Sequence, residues 1–268
     1  MTLPVLTSGK SGREYLWPPN ADVPELVVPS VTTILQEEAK PFLTPWAAKL
    51  AAEYAYDKRD ALAALDREEF VQLVKGASNR YMYSRANVGN LVHAALENHV
   101  NGDEIVHIDT DALPYFEAGI SFLEELRVFA DYVEATIFSR KYQYAGSCDL
   151  FGSFDWEGER HYGPIDWKTS KRIYPATALQ LVAYANGDFI GTPDSVEHEI
   201  ADTTLGLVVH LQPSGKWEAH PVQVNDQRLM KTFAALRTIH HWKYAIESTA
   251  LGEKKKGNRR VTKWHYQY

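Results

Sequence analysis

Three charged residues near the middle of the chain have types and spacing that could bind a cation or activate water. Asp149 is followed by Asp166 and Lys168, which are two positions apart in a β-rich run. Because side chains alternate between the faces of a strand, Asp166 and Lys168 would point to the same side. Asp149 lies in the preceding β-rich run, so the intervening turn would bring its carboxylate beside Asp166.

Two facing carboxylates repel each other unless a cation lies between them, and their hard oxygen atoms suit Mg²⁺ or Mn²⁺. Lys168 would then orient or help to deprotonate a water molecule and stabilise negative charge in a transition state. An Asp–Lys pair on a strand is also a common surface ion pair. The three residues by themselves leave both interpretations open.

Polar residues on two helical segments favour the interpretation as an active site. Gln180 and Tyr184 are four residues apart in the segment after Lys168, so they would share one helix face. Upstream, His93 precedes Glu97 by one helical turn, and an imidazole ligand suits Mn²⁺ as well as Mg²⁺. Each residue alone could be ordinary core or helix surface, whereas the ordered set predicts a site.

The periodicity of apolar residues indicates helices first and strands later. Residues 1–29 predict an extended arm, and Ser30 is a predicted N-cap for a short helix. Further helical patterns cover residues 44–75, from 79 or 87 through 99 with an end at 101–102, and 113–130. Strand patterns cover residues 133–138, 144–154 and 162–168, with a turn at 155–158, and a second hairpin covers 203–211 and 216–224. Helices are predicted at 176–186 and from 225 or 226 to 246.

This order predicts an α/β fold with a mixed central sheet flanked by helices on both faces and a helical N-terminal region. The predicted division is an N-terminal arm and helical region (1–88), a core (89–250) and a basic C-terminal tail (251–268). The single cysteine, Cys148, excludes an internal disulfide and a four-cysteine metal site. The chain shows no signal peptide, transit peptide or apolar run of membrane-spanning length, which predicts a cytoplasmic protein.

The motifs together resemble the PD-(D/E)xK nuclease superfamily. The resemblance rests on His93, Gly146-x-x-Asp149, Asp166-Trp167-Lys168-Thr169-Ser170 and Gln180-x-x-x-Tyr184, and it is strongest over residues 89–187. The chain is most similar to the RecB-like exonuclease branch, and residues 29–35 resemble the start of mitochondrial genome maintenance and phage exonucleases of that branch.

The resemblance implies a role for each matching residue. Asp149, Asp166, His93 and the Trp167 carbonyl would bind metal, in a site expected to hold two Mg²⁺ or Mn²⁺ ions. Lys168 would be the catalytic lysine, and Gln180 and Tyr184 would hold the strand and the lysine in place. Glu134 could be an outer carboxylate. Some members of the branch carry an iron–sulfur cluster on four cysteines, which this chain lacks.

The function implied by the resemblance is a metal-dependent DNA exonuclease in recombination, repair or replication. A structure-specific endonuclease using the same site and an inactive DNA-binding module remain alternatives. The expected partner is DNA with a single-stranded end, with possible recombination or replication proteins and no membrane. Because the net charge is −7, DNA binding would depend on local basic groups. These are Lys168, Lys171 and Arg172, and the C-terminal Lys254, Lys255, Lys256, Arg259, Arg260 and Lys263.

Overall fold

Ten strands form two sheets in the described part of this computed structural model, which covers residues 5–9, 12–17, 25–104 and 108–252. The strands are β1 (Val5–Gly9), β2 (Gly12–Trp17), β3 (Leu26–Pro29), β4 (Phe129–Ser139), β5 (Tyr144–Trp156), β6 (Glu159–Lys168), β7 (Phe189–Gly191), β8 (Glu197–His198), β9 (Gly206–Leu211) and β10 (Trp217–Val222). The first three form an antiparallel sheet. The others form a seven-stranded sheet in the order β10-β9-β6-β5-β4-β7-β8, in which β6 and β9 are parallel.

Eight α-helices accompany the sheets within the described ranges. They are α1 (Val31–Ile34), α2 (Leu43–Asp57), α3 (Arg59–Leu62), α4 (Arg67–Lys75), α5 (Ala77–Asn101), α6 (Leu113–Glu125), α7 (Ala176–Ala185) and α8 (Gln227–His241). A short 3₁₀ turn, Leu35–Glu37, follows α1, and a π turn, Trp242–Ile246, and a 3₁₀ turn, Glu247–Thr249, follow α8. None of the helices in these ranges is long and apolar enough to cross a bilayer.

Local side-chain chemistry fixes several helix ends. The Ser30 side chain accepts a hydrogen bond from the Thr33 amide at the start of α1, and Asp226 caps α8 in the same way. Gly102 adopts a left-handed conformation, with φ of 74°, where α5 ends. The N-cap predicted at Ser30 is confirmed, and of the two positions predicted for the start of the last helix, 225 and 226, the cap is Asp226.

Apolar cores lie on both faces of the large sheet. On one face, residues such as Leu181 and Phe233 pack α1, α7 and α8 against the strands. On the other face, Leu96 and Phe122 pack α5 and α6 against the strands. Each fully buried side chain of this size stabilises the fold by about 1.5–3 kcal/mol, so both layers hold the sheet firmly. The predicted mixed sheet with helices on both faces is confirmed.

The central strands β4, β5 and β6 form an antiparallel meander. The turn between β5 and β6 consists of Glu157 and Gly158, both with positive φ, which suits the right-handed twist of a hairpin. The turn predicted at 155–158 is therefore present, in a tighter form. Leu150 of β5 pairs with Ile165 of β6, so the acidic residues next to them lie on adjacent strands.

Some predicted elements differ from the structure. The described part of residues 1–29 forms β1–β3, whose Tyr15 and Trp17 are buried against Phe138, because aromatic residues there pack against internal strands of the large sheet. The pattern over 44–75 forms three helices. The predicted helix 113–130 ends at Glu125, and Arg127 has a φ of 47° before β4 begins. Residue 89, the predicted start of the core, lies inside α5.

Candidate active site

Asp166 and Lys168 lie near the end of β6 and form an ion pair on one face of the sheet. Asp166 is buried, with 2% of its side chain exposed. Between them, Trp167 points to the opposite face and packs edge-on against Phe122, with ring centroids 5.3 Å apart. The alternation predicted from the sequence is confirmed.

Asp149 connects β5 to a neighbouring strand and to a helix. Its Oδ2 accepts a hydrogen bond of 2.7 Å from the Trp167 amide of β6. Its Oδ1 lies 3.1 Å from Nδ1 of His93 on α5. The tertiary fold therefore brings together His93 and Asp149, which are 56 positions apart in the chain.

Gln180 on α7 links the buried carboxylate to a tyrosine. Its Nε2 donates hydrogen bonds to Oδ1 of Asp166 (2.9 Å) and to the Tyr184 hydroxyl (2.8 Å). The Tyr184 ring packs against Gly146, where an added Cβ would lie 2.8 Å from Cε1. The absence of a side chain at Gly146 therefore allows α7 to approach β5 closely enough to place Gln180.

Glu134 on β4 completes a group of possible metal ligands. The pairs Val133–Leu150 and Ala135–Cys148 place Glu134 opposite Asp149. One ligand atom each from His93, Glu134 and Asp149 lie within 4.8 Å of one another. Asp166 is outside this group in the part of the chain that the structure describes, because its carboxylate faces Lys168 and Gln180. The Trp167 carbonyl stays a predicted ligand.

Both β4 and β5 change face at this position. In β4, Ala135 packs with the α7 layer, but Val133, two residues earlier, packs with the α5–α6 layer. In β5, Cys148 and Leu150 show the same change. Glu134 has a φ of 49°, a conformation rare for a residue with a side chain, and it rotates the strand at this point. The ligand group lies where the regular alternation of the sheet is broken.

Electrostatic interactions shift the pKa values of the acidic residues in opposite directions. Burial, reinforced by Asp149 and opposed by Lys168, raises the pKa of Asp166 to about 6. Partial burial, together with Asp149 and Glu97, raises the pKa of Glu134 to about 7. Burial also opposes ionisation of Asp149, but the adjacent His93 and Lys168 lower its pKa overall. A site where carboxylates hold their protons this strongly favours an added cation.

His93, Glu134, Asp149 and Gln180 line a cavity of about 340 Å³. The sequence did not single out Arg13, Tyr15 and Asn90 as lining residues. Ser30 and Thr32 also line it, and they belong to the 29–35 stretch on which part of the resemblance rests. The Tyr15 hydroxyl lies 3.0 Å from Oγ of Ser147 and fixes β2 over β5. No sequence signal near Arg13 or Tyr15 predicts this position, because it depends on how the small sheet packs.

Of the two groups of basic residues predicted to contact DNA, the structure describes only the one that follows β6. Lys171 and Arg172 are exposed in the segment that directly follows β6. The C-terminal basic cluster, Lys254 to Lys263, lies outside the described residues. Aromatic residues of the N-terminal half differ in exposure: Trp17 is buried, Tyr83 is exposed, and Trp46 packs edge-on against Tyr81.

The donor set fits a divalent cation. Two carboxylates and one imidazole converge in the cavity, with a third carboxylate on the adjacent strand, and oxygen-rich sites with a nitrogen ligand suit Mg²⁺ or Mn²⁺. Comparison of the chain with models of known protein families and with curated proteins finds no match.

Proposed function

We propose that the chain is a divalent-metal-dependent nuclease that hydrolyses phosphodiester bonds in DNA. The observation that carries the proposal is the convergence of His93, Glu134 and Asp149 beside the buried Asp166–Lys168 pair. A structural ion pair would not require a third carboxylate and an imidazole next to it. The membership of the PD-(D/E)xK superfamily that the sequence motifs imply belongs to the same proposal.

His93, Glu134 and Asp149 would hold a Mg²⁺ or Mn²⁺ ion, and Asp166 would add a carboxylate for it or for a second ion. A bound ion would supply Lewis-acid activation of the phosphodiester and a lower pKa for a coordinated water molecule. The donor set, rich in oxygen and without thiolate, supports these ions over softer metals.

The chain itself would position the reacting groups. Lys168, paired with Asp166, would donate hydrogen bonds to a phosphate oxygen and stabilise the negative charge that develops during hydrolysis. Gln180 fixes the orientation of the Asp166 carboxylate, and the amide of Trp167 fixes that of Asp149. The two carboxylates, Asp149 and Asp166, are thus each held by a partner from another element, so little reorganisation is needed for reaction.

We propose exonuclease action as the finer assignment. Strand β2 lines the cavity with Arg13 and Tyr15, and α5 lines it with His93 and Glu97. A recess of about 340 Å³ bounded by several elements suits the end of a strand better than the middle of a duplex. A structure-specific endonuclease is the alternative, and a closed circular single strand distinguishes the two because it has no end.

The test is cleavage of end-labelled single-stranded, double-stranded and circular DNA with Mg²⁺ or Mn²⁺. With Mg²⁺ or Mn²⁺ present, we expect cleavage of the linear substrates and no cleavage of the circle. EDTA should abolish cleavage of the linear substrates. Asp149→Asn, Asp166→Asn and Lys168→Met should each lower the cleavage rate by at least about 100-fold, because members of a cooperating site act as a unit. Glu159→Gln, an exposed carboxylate elsewhere on β6, is the matched control. Metal-independent cleavage, or full activity of the Asp166 variant, would contradict the proposal.

A further inference from the structure

A second cavity, of about 590 Å³, adjoins the candidate active site. Thr32 and Gln180 line both cavities, so the two spaces share a wall. The larger cavity lies between the chain that follows α1 and the segment at the start of α7. Most of its lining is apolar, and it includes Leu35, Phe42 and Pro175. A ligand there would be next to the groups that surround Asp166.

Two aromatic rings form a parallel pair at this cavity. The Phe42 and Tyr174 rings have centroids 5.8 Å apart and planes inclined by 7°. They are 39% and 41% exposed, so the pair is accessible to a ligand. Exposed flat rings lining a cavity are the features on which unpaired nucleobases stack, because every base has a π face.

Positive charge surrounds the aromatic pair. The Arg172 guanidinium carbon lies 5.1 Å from the Tyr174 ring centroid and 5.8 Å from that of Phe42. Lys40 also lines the cavity, and Glu38 is the acidic residue among its lining groups. Since the whole chain carries a net charge of −7, two cations beside exposed rings form a local basic area suited to a phosphate.

We propose that this cavity is a nucleobase subsite, in which one unpaired base of single-stranded DNA stacks on the Phe42–Tyr174 pair. The neighbouring backbone phosphate of the DNA would contact Arg172 or Lys40. The DNA strand would continue past Gln180 to the scissile bond. This inference rests on the proposed nuclease function and specifies its substrate. A base in a duplex has both faces covered by its neighbours, so the subsite selects an unpaired end.

The first test measures binding of a fluorescein-labelled oligothymidylate by anisotropy in EDTA, where hydrolysis cannot interfere. We expect Phe42→Ala/Tyr174→Ala to weaken binding by at least about fivefold, the lower range for loss of base stacking. The aromatic variant Phe42→Tyr/Tyr174→Phe should bind like the wild type. Tyr56→Ala removes an aromatic ring that contacts Arg59 and lines neither cavity, so it should leave affinity unchanged.

The second test uses oligonucleotides with one abasic position, moved stepwise from the end. In the wild type, one position should weaken binding most, and this dependence should disappear in the double alanine variant. Equal affinity of the wild type and double alanine variant, or weaker binding by the aromatic variant, would overturn the subsite. If the wild type cleaves DNA while the subsite variants behave like it, only the subsite fails. If the wild type neither binds nor cleaves DNA, both proposals fail.

Discussion

At the scale of single residues, Glu134 departs most from the conformation and charge expected of a strand residue. A positive φ on a residue with a side chain costs on the order of 1–3 kcal/mol, and surrounding structure must maintain it. The reoriented carboxylate lies close to Asp149 and His93. The strained backbone, the perturbed pKa and the ligand group coincide at one position, which supports a functional role for Glu134.

The raised pKa of Glu134 predicts how the metal-free protein responds to pH. The folded protein holds this proton more tightly than the unfolded chain, in which the pKa is 4.5. Proton binding by Glu134 therefore stabilises the folded protein relative to the unfolded chain. This stabilisation is fully present below pH 4.5 and is lost as the pH rises through about 7. Because Glu134 is only partly buried and much of its side chain contacts solvent, solvent screening limits the expected effect to about 1 kcal/mol.

Urea unfolding in EDTA at about pH 5 and about pH 8 measures this effect. The free energy of unfolding should fall less between the two conditions in Glu134→Gln than in the wild type. Glu159→Gln, an exposed carboxylate on the same sheet, should follow the wild type. Identical pH dependence of wild type and Glu134→Gln would show that Glu134 has an ordinary pKa.

Gln180 is a positioning residue, because it contacts Asp166 and Tyr184 without being a metal ligand or a charged group itself. We expect Gln180→Leu to lower kcat by about 10- to 100-fold, as is typical when a partner of a metal-site ligand is lost. The KM for DNA should change less. Tyr184→Phe keeps the contact between Gln180 and Asp166, so its kcat should stay near that of the wild type.

Steady-state kinetics with Mn²⁺ measures whether the Gln180 substitution lowers kcat more than it changes KM. Thermal unfolding checks that the variants fold. Isothermal titration with Mn²⁺ supplies a readout that does not depend on catalysis. If Gln180→Leu leaves both kcat and metal affinity unchanged, the hydrogen bond to Asp166 has only a structural role.

At the scale of elements, the contact between α7 and β5 sets the geometry of the site. Gly146 lies beneath Tyr184 and beside Val31 of α1, so three elements meet at a position without a side chain. Packed interiors have little free volume, and a methyl group here would push α7 outward. The displacement would be transmitted to Gln180, which lies one helical turn from Tyr184.

We expect Gly146→Ala to destabilise the fold by about 1–3 kcal/mol, because an added Cβ would lie 2.8 Å from Tyr184 and about 3.0 Å from Val31. Nuclease activity should fall as well, since Gln180 would be displaced from its hydrogen bond to the Asp166 carboxylate. Gly252→Ala is the control, because nothing lies within 4 Å of the added Cβ. Thermal unfolding and cleavage assays measure both effects, and equal stability of the two variants would contradict this account.

At the scale of the whole molecule, the net charge of −7 disfavours binding of the negatively charged backbone of nucleic acid. DNA binding therefore depends on where the cationic side chains lie. Lys171 and Arg172 are exposed beside the end of β6 and close to the candidate site. The charge of Lys171 also lies 5.8 Å from the Tyr81 ring. These two residues form a local basic area that follows Lys168 directly in the chain.

The salt dependence of binding tests this arrangement. Each phosphate neutralised on a single strand contributes about 0.7 to the slope of log affinity against log salt, so Lys171→Ala/Arg172→Ala should reduce the slope by about 1.4. Lys231→Ala, an exposed cation on α8, should leave the slope unchanged. Anisotropy titrations at several salt concentrations measure the slopes, and an unaltered slope in the double variant would show that these cations do not contact phosphate.

Features that depend on local patterns were predictable from the order of the amino acids alone. The shared face of Asp166 and Lys168 follows from strand alternation, and the caps at Ser30 and Asp226 follow from side-chain hydrogen bonding to the helix amides. The strand meander and the helix after Lys168 were predictable for the same reason. Each of these features is specified by residues within a few positions of one another.

Contacts between residues that are distant in the chain depend on the fold. Glu134 joins the ligand group because its backbone leaves the regular strand conformation, which an alternating pattern does not predict. Tyr15 enters the cavity because the small sheet packs over β5, and the Phe42–Tyr174 pair forms across a separation of more than a hundred residues. These contacts depend on how elements pack, and packing is set by the shape of the whole core rather than by any short stretch of sequence.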